Sequence, residues 1–239
     1  MIGTNPYVAK TIGFVPYIYL SQALEHLKVL YVQTMETALP EIKVVMPRRI
    51  GDARGFFSEV WNARDFASAG IDAAFVQDNH VRNPLKGTLR GLHYQVPPTA
   101  QGKLVRVTRG AIFDVAVDIR RGSPSFGRHA AAVLTADNWY QLWIPAGYAH
   151  GYCTLEDDTE VQYKTTDFYS PAHDRGIAWN DPVLMITWPV TAETAIVSDR
   201  DSALPRLAQQ SDLFDYASGT IRGTLVGALS KDRGPVTSS

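Results

Sequence analysis

Residues 144–150, Ile144-Pro-Ala-Gly-Tyr-Ala-His150, place a histidine three residues after a tight turn. Pro145 fixes a backbone dihedral of that turn, and Gly147 accepts conformations that other residues avoid. The histidine then enters the next strand, where we expect it to face the interior of a closed sheet. From Glu41 onward the chain continues as short β runs broken by Gly, Pro, Asn and Asp. This pattern predicts a sandwich, barrel or jelly roll.

Residue composition and the alternation of apolar with polar residues predict the individual strands and helices. The predicted strands are residues 42–45, 56–61, 88–94, 104–108, 111–119, 130–135, 141–144 and 160–166. In the run 111–119 every residue of one parity is apolar, and Asp114 and Asp118 fall on the other parity, which is typical of a half-buried strand. A single helix, residues 63–69, is predicted in the middle of the chain, capped by Asn62 and stopped by Gly70.

Composition excludes several classes of protein. The 239 residues carry a formal net charge of −1 and are 45% hydrophobic, so the chain is long and apolar enough to bury a core. A near-neutral protein has no global field to attract nucleic acid or an anionic membrane, and neither partner is expected. Cys153 is the single cysteine, which rules out an internal disulfide and favours a reducing cytoplasm.

The pattern divides the chain into three parts. Residues 1–34 are predicted to be an extension outside the fold, because Met35 opens a natural start just before a strand. Its uncharged stretch, residues 11–24, is too short to cross a bilayer. The folded domain is predicted at 35–205. Residues 206–239 are expected to form a C-terminal tail, since the apolar pattern thins after Trp188.

The turn at 144–150 resembles the second conserved motif of cupins. Many cupins bind a metal through this histidine together with a His-x-His and a glutamate from a first motif. The nearest counterpart here, Arg90-Gly-Leu-His-Tyr-Gln95, holds only one histidine. His93 and His150 alone make a poor transition-metal site, so we expect neither a metal nor another cofactor.

A set of ordered strings over residues 40–205 closely resembles the dTDP-4-dehydrorhamnose 3,5-epimerase family. The strings include GDARGFFSE (51–59), FVQDN (75–79), LRGLHYQ (89–95), QGKLVR (101–106), FDVAVDI (113–119), HDRGIAWNDP (173–182) and SDRD (198–201). The resemblance implies an all-β cupin double-stranded β-helix, or jelly roll, with a few short and mainly C-terminal helices. It also implies an isomerase of dTDP-rhamnose biosynthesis that acts on a dTDP-sugar, and a homodimer with strand exchange near the N-terminus.

Epimerisation beside a ketone needs a base, a stabilising charge at the carbonyl oxygen, and an acid on the opposite face. The family's base carries over to His93, and its carboxylate partner to Asp201. By the same resemblance Lys103 would hold the enolate oxygen and Tyr163 would return the proton. Inverting C3 and C5 of dTDP-4-dehydro-6-deoxy-D-glucose would give dTDP-4-dehydro-L-rhamnose.

The resemblance also supplies predicted substrate contacts. Guanidinium groups suit phosphate oxygens, and Arg54 and Arg90 match the family's phosphate contacts. The other predicted binding residues are Gln77 and Asn79 at the nucleotide, with Glu59, His150, Asp174 and Arg200 also lining the site. Arg200 stands where the family commonly has lysine.

Arg90 and His93 raise a geometric difficulty, because residues three apart on an ideal strand face opposite sides. If both reach one pocket, Gly91 should mark a bulge or kink. If the strand is regular, Arg90 serves another wall or another subunit.

Three alternatives remain open on the sequence. A related epimerase could invert only one carbon or act on another 4-keto-6-deoxysugar. A metal-dependent cupin dioxygenase is disfavoured by the missing His-x-His. A sugar-nucleotide-binding regulatory cupin is disfavoured by the presence of His93, Lys103 and Tyr163 together.

Overall fold

The computed structural model describes residues 32–216, which build two large antiparallel sheets. The strands are β1 (Val32–Glu36), β2 (Lys43–Pro47), β3 (Ile50–Asp52), β4 (Gly55–Phe57), β5 (Gln77–Asn83), β6 (Leu89–Gln95), β7 (Lys103–Arg109), β8 (Ala111–Asp118), β9 (Arg120–Arg121), β10 (His129–Thr135), β11 (Gln141–Ile144), β12 (Tyr148–Thr154), β13 (Thr159–Thr165), β14 (Asp174–Gly176) and β15 (Phe214–Asp215). The helices are α1 (Ala63–Ser68), α2 (Asp199–Ser202) and two 3-10 turns at Pro182–Leu184 and Leu207–Gln209. The predicted all-β cupin jelly roll with few short helices is confirmed.

One sheet has the order β1-β2-β11-β7-β13-β5 and the other β10-β8-β12-β6-β14. Alternate side chains of both sheets meet in an inter-sheet core that includes Val105, Leu142, Ala116, Tyr148 and Tyr152. The side chains on the outer face of each sheet pack against the loops and short helices that cover it. Since consecutive strand residues point to opposite faces, a residue's register decides whether it can reach the space between the sheets.

Paired strands extend past both predicted domain boundaries. Residues 32–34, assigned to the extension, lie in β1, which pairs with β2, and Val32 is buried. At the other end Leu207 is buried and β15 pairs in parallel with β9, so residues 206–216 pack on the domain. The remaining parts of the predicted extension and tail, residues 1–31 and 217–239, lie outside the described residues.

The predicted strand 56–61 is wrong beyond Phe57, where β4 ends. Trp61 instead packs edge-on against Phe66 and Phe75, and this burial takes the segment away from a ladder. The next residue caps α1, as predicted, because the Asn62 side chain accepts hydrogen bonds from the first turn. No helix within residues 32–216 is long and apolar enough to span a membrane.

Candidate active site

The β6–β12 ladder contains the bulge that the sequence required. His150 pairs with His93 and Tyr152 with Arg90, so two steps along β12 match three along β6. Directly paired residues share a face, and Tyr152 belongs to the inter-sheet core. Arg90 and His93 therefore both face the space between the sheets. Gly91 has φ +116° there, a conformation that side chains rarely adopt, which confirms the expectation of a bulge at Gly91.

His93 is paired with a buried carboxylate. Its Nε2 lies 2.7 Å from Oδ1 of Asp201, and the other oxygen of Asp201 accepts a 3.0 Å hydrogen bond from the Gly91 amide. Burial raises the pKa of Asp201, but the hydrogen bonds from His93 and Gly91 outweigh it and leave that pKa below its ordinary value. A charged Asp201 fixes the imidazole with its Nε2 proton toward the carboxylate and Nδ1 free to accept a proton.

Lys103 is the first residue of β7, and its side chain reaches the backbone of His93. Its Nζ donates a 3.4 Å hydrogen bond to the His93 carbonyl oxygen. Burial lowers the pKa of Lys103 to about 8, and the negative charges of Asp174 and Asp114 partly oppose that shift. The ammonium is thus still the main form at neutral pH, in a setting where its charge is poorly screened.

Tyr163 lies on β13, the strand next to β7, and its side chain is on the same face of the sheet as that of Lys103. It pairs with Val105 of β7, whose side chain is in the inter-sheet core, and Tyr163 itself packs against that core. Burial raises the pKa of Tyr163, although the positive charge of Arg90 acts in the opposite direction. The phenol is therefore protonated at neutral pH, and it lies close enough to Arg90 for that charge to affect its pKa.

A second histidine–carboxylate pair lies beside the first. Nε2 of His150 is 2.7 Å from Oδ1 of Asp114, and both side chains are buried. Burial lowers the pKa of His150 despite the raising effect of Asp114, so His150 is neutral. Asp118, which lies on the same side of β8 as Asp114, is also fully buried and pairs with Arg120. This side of β8 therefore faces inward and not toward solvent.

Gln77 and Asn79 share the inward parity of β5. Asn79 pairs directly with Tyr163, and the Gln77 amide donates a 2.9 Å hydrogen bond to the Asn79 side chain. The Gln77 oxygen accepts from the backbone of Tyr169 at 3.0 Å. Both predicted nucleotide contacts therefore lie on the same wall as Tyr163.

Asp174 and Arg200 are in contact with each other, 2.6 Å apart. The same Asp174 oxygen accepts a 3.1 Å hydrogen bond from the hydroxyl of Tyr169. Sequence reasoning missed Tyr169 and Asp114. Tyr169 lies in a loop without periodicity, and only the backbone placement of that loop brings it to the site.

Arg54 and Glu59 are not joined to these residues by any hydrogen bond within residues 32–216. Arg54 pairs with Asp52 on the β3–β4 hairpin, and its side chain is 89% exposed. Glu59 accepts a 3.1 Å hydrogen bond from Asn62. Their predicted role in binding thus remains a prediction. Among the described residues, no group of three or more His, Cys, Asp or Glu is arranged to hold a metal ion.

Comparison with known proteins gives concordant matches. The model of a family described as dTDP-4-dehydrorhamnose 3,5-epimerase matches residues 36–209. The protein of that name from Sinorhizobium fredii is 48% identical over 187 residues, covering 78% of this chain and 94% of the relative. A crystal structure of dTDP-6-deoxy-D-glucose-3,5-epimerase from Legionella pneumophila, in complex with dTDP-4-keto-L-rhamnose, is 42% identical with a TM-score of 0.75, covering 78% of this chain and all of the other. A 3'-monoepimerase from Streptomyces bikiniensis, in complex with dTDP-quinovose, is 34% identical with a TM-score of 0.67, covering 73% of this chain and 88% of the other.

Proposed function

The chain belongs to the dTDP-4-dehydrorhamnose 3,5-epimerase family and is an isomerase, and we propose that the pocket between its sheets performs the proton transfers. The substrate is dTDP-4-dehydro-6-deoxy-D-glucose and the product dTDP-4-dehydro-L-rhamnose. The observation that carries this proposal is the His93–Asp201 pair with Lys103 behind it. Asp201 carries the negative charge and Lys103 the positive charge that two steps of the reaction require.

Proton abstraction is assigned to His93. Because Nε2 is engaged by Asp201, Nδ1 is the nitrogen that takes the proton from the carbon beside the ketone. The imidazolium formed in this step is stabilised by the adjacent carboxylate, which does not need to take up the proton itself. A positioned base of this kind contributes about 10²- to 10⁴-fold to the rate.

Charge stabilisation is assigned to Lys103. Removal of the proton moves negative charge onto the ketone oxygen, and an ammonium in a poorly solvated site stabilises that enolate strongly. The same burial that lowers the pKa of Lys103 to about 8 also lets it share its proton with the enolate oxygen. The enolate is therefore stabilised, and its carbon can be protonated from the face opposite the base.

Return of the proton is assigned to Tyr163. Its phenol is protonated at neutral pH and lies on the six-stranded sheet, whereas His93 lies on the facing five-stranded sheet. A base and an acid on opposing walls satisfy the requirement that an inversion removes a proton from one face and returns it to the other. The arrangement supports epimerisation better than simple binding.

Both carbons are proposed to be inverted, at C3 and at C5. The relative from Sinorhizobium fredii carries the 3,5-epimerase name at 48% identity, whereas the monoepimerase matches at 34%. Inversion of a single carbon is the second candidate, because that monoepimerase shares the fold. The two candidates differ in product and not in the chemistry of each step.

Nucleotide binding is assigned to the wall and rim around this pocket. Arg90 meets the diphosphate, Gln77 and Asn79 meet the nucleotide, and His150 is a further contact in the interior. Asp174 and Arg200 close the rim. No nucleic acid or membrane partner is proposed, and the single cysteine favours the cytoplasm as the place of action.

A homodimer is proposed to complete the site with Arg54 and Glu59. The β3–β4 hairpin that carries Arg54 also exposes Phe56 and Phe57, at 52% and 63%. Two exposed aromatic side chains on one hairpin are typical of a surface that a second copy covers. Arg54 would then reach the diphosphate of the neighbouring pocket.

Proton NMR of a reaction in D₂O tests the proposed function. The enzyme, incubated with dTDP-4-dehydro-6-deoxy-D-glucose, should give the rhamnose configuration with deuterium at C3 and C5. Deuterium and inversion at one carbon alone would select the single-carbon candidate. An unchanged substrate without isotope uptake would refute both.

A further inference from the structure

Asn83 is a buried amide behind Arg90, and we propose that it is a positioning residue that aims the Arg90 guanidinium at the substrate's diphosphate. This inference rests on the proposed function, since Arg90 is there the diphosphate contact. Asn83 ends β5 and Arg90 lies on β6, so the contact joins the two sheets. Neither family strings nor strand periodicity singled out Asn83.

The Asn83 side chain is fixed on both of its polar atoms. Its oxygen accepts a 2.8 Å hydrogen bond from Nε of Arg90. Its nitrogen donates to the Thr159 carbonyl at 3.2 Å and lies 3.4 Å from the hydroxyl of Tyr152. Asn83 is 0% exposed, whereas Arg90 is exposed. The amide cannot turn over without leaving a buried donor and a buried acceptor unpaired.

The anchor determines which edge of Arg90 is available to a ligand. A guanidinium has five N–H donors in a rigid plane, and Asn83 engages the one at Nε. The terminal Nη groups at the other end can then donate to two phosphate oxygens at once. A long side chain that is already hydrogen-bonded at Nε loses less orientational freedom on ligand binding than an unanchored one.

The anchor of Arg90 is also neutral, whereas several other arginines of the domain are held by a negative charge. Arg54, Arg120 and Arg200 each pair with a carboxylate. Within residues 32–216 no carboxylate lies within 4.0 Å of Arg90. An amide orients the guanidinium without cancelling its charge, so the full positive charge is kept for a diphosphate.

Calorimetric titration with dTDP tests this role in full-length Asn83→Ala, Arg90→Ala and the double variant. Asn83→Ala should weaken dTDP binding about tenfold, the loss expected for a hydrogen bond to a charged group. In the Arg90→Ala background the same change should alter the Kd less than about twofold, because Asn83 acts through Arg90. In turnover, KM should rise with kcat largely retained, as expected for a binding contact.

Two further variants separate positioning from folding. Asp181→Ala removes a buried side chain that accepts from Val183 and Leu207, away from the pocket, and should lower the melting temperature without changing dTDP affinity. Asn83→Asp keeps the shape and the acceptor but adds a charge that pairs with Arg90. It should weaken dTDP binding at least as much as Asn83→Ala.

Independent, additive effects of Asn83→Ala and Arg90→Ala would overturn the inference, and so would wild-type affinity in Asn83→Asp. The proposed function fails separately. A wild-type protein that binds dTDP and shows the predicted coupling, yet does not epimerise the sugar, would retain the Asn83 role and remove the epimerase assignment.

Discussion

Gly91→Ala is the substitution that tests the geometry of the pocket most directly. Gly91 provides the bulge that turns Arg90 and His93 to one face, and its amide holds Asp201. A Cβ added there would lie 2.7 Å from the Cα of Gly151 and 2.7 Å from the carbonyl oxygen of His150. Both neighbours are backbone atoms of β12, so neither can swing aside as a side chain would.

The expected cost has two parts. A non-glycine residue at φ +116° is strained by about 1–3 kcal/mol, and the overpacked backbone contact adds about 1–3 kcal/mol. The sum of about 2–6 kcal/mol is a large share of the about 5–15 kcal/mol that stabilises a typical domain. It corresponds to a melting temperature lower by about 5–20 °C for a domain of this size. Relief by shifting β6 would displace His93 from Asp201, and kcat/KM should fall about 100-fold or more.

Calorimetric melting and the NMR assay of epimerisation measure the two effects, with Gly122→Ala as the matched control. Gly122 also has positive φ, +82°, but nothing lies within 4 Å of its added Cβ. The control should therefore cost only about 1–2 kcal/mol and leave turnover intact. A Gly91→Ala protein as stable and active as this control would refute the assignment of the bulge as the feature that aligns the site.

Further expected outcomes follow from the charge states in the pocket. His93→Asn should abolish deuterium uptake at both carbons, whereas Asp201→Asn should keep part of it, and uptake at the normal rate in His93→Asn would exclude His93 as the base. Tyr163→Phe should retain some isotope exchange and form far less doubly inverted product, and a normal yield would show that Tyr163 only packs. Because the pKa of Lys103 is lowered to about 8, the ammonium is lost as pH rises through that value, so kcat/KM should fall above about pH 8 and Lys103→Arg should move this limb upward. Activity should survive exhaustive treatment with a chelator, and its loss with recovery on adding a divalent metal would contradict catalysis by side chains alone.

The β-run pattern predicted a sandwich, barrel or jelly roll, and the family resemblance narrowed this to the jelly roll and named the candidate site residues. His93, Lys103 and Tyr163 lie in three different strands, and their predicted grouping agrees with the inward parity of each. The pairing of His93 with Asp201 was expected from the family resemblance, and the structure places them 2.7 Å apart.

Other features could not be obtained from pattern alone. Asp114 and Asn83 are polar residues on an inward parity, where alternation predicts solvent for the polar side. β5 lacks an apolar stripe because its inward residues are Gln77 and Asn79, and it was not predicted as a strand. The packing of residues 206–216 on the domain could not be predicted for a similar reason, since Leu207 is buried by tertiary contacts that no local periodicity indicates.

The distance along the chain between the two members of the catalytic pair has a consequence for how activity arises during synthesis. Asp201 follows His93 by 108 residues, and α2 reaches the histidine only after both sheets have been translated. A contact of such long range closes late, because the loop entropy must first be offset by the intervening strands. A ribosome-bound chain that has exposed His93 but not yet Asp201 has an unpaired imidazole. We therefore expect nucleotide-sugar turnover to reach its full rate only once α2 has docked, and the rise of epimerised product during translation would time that docking.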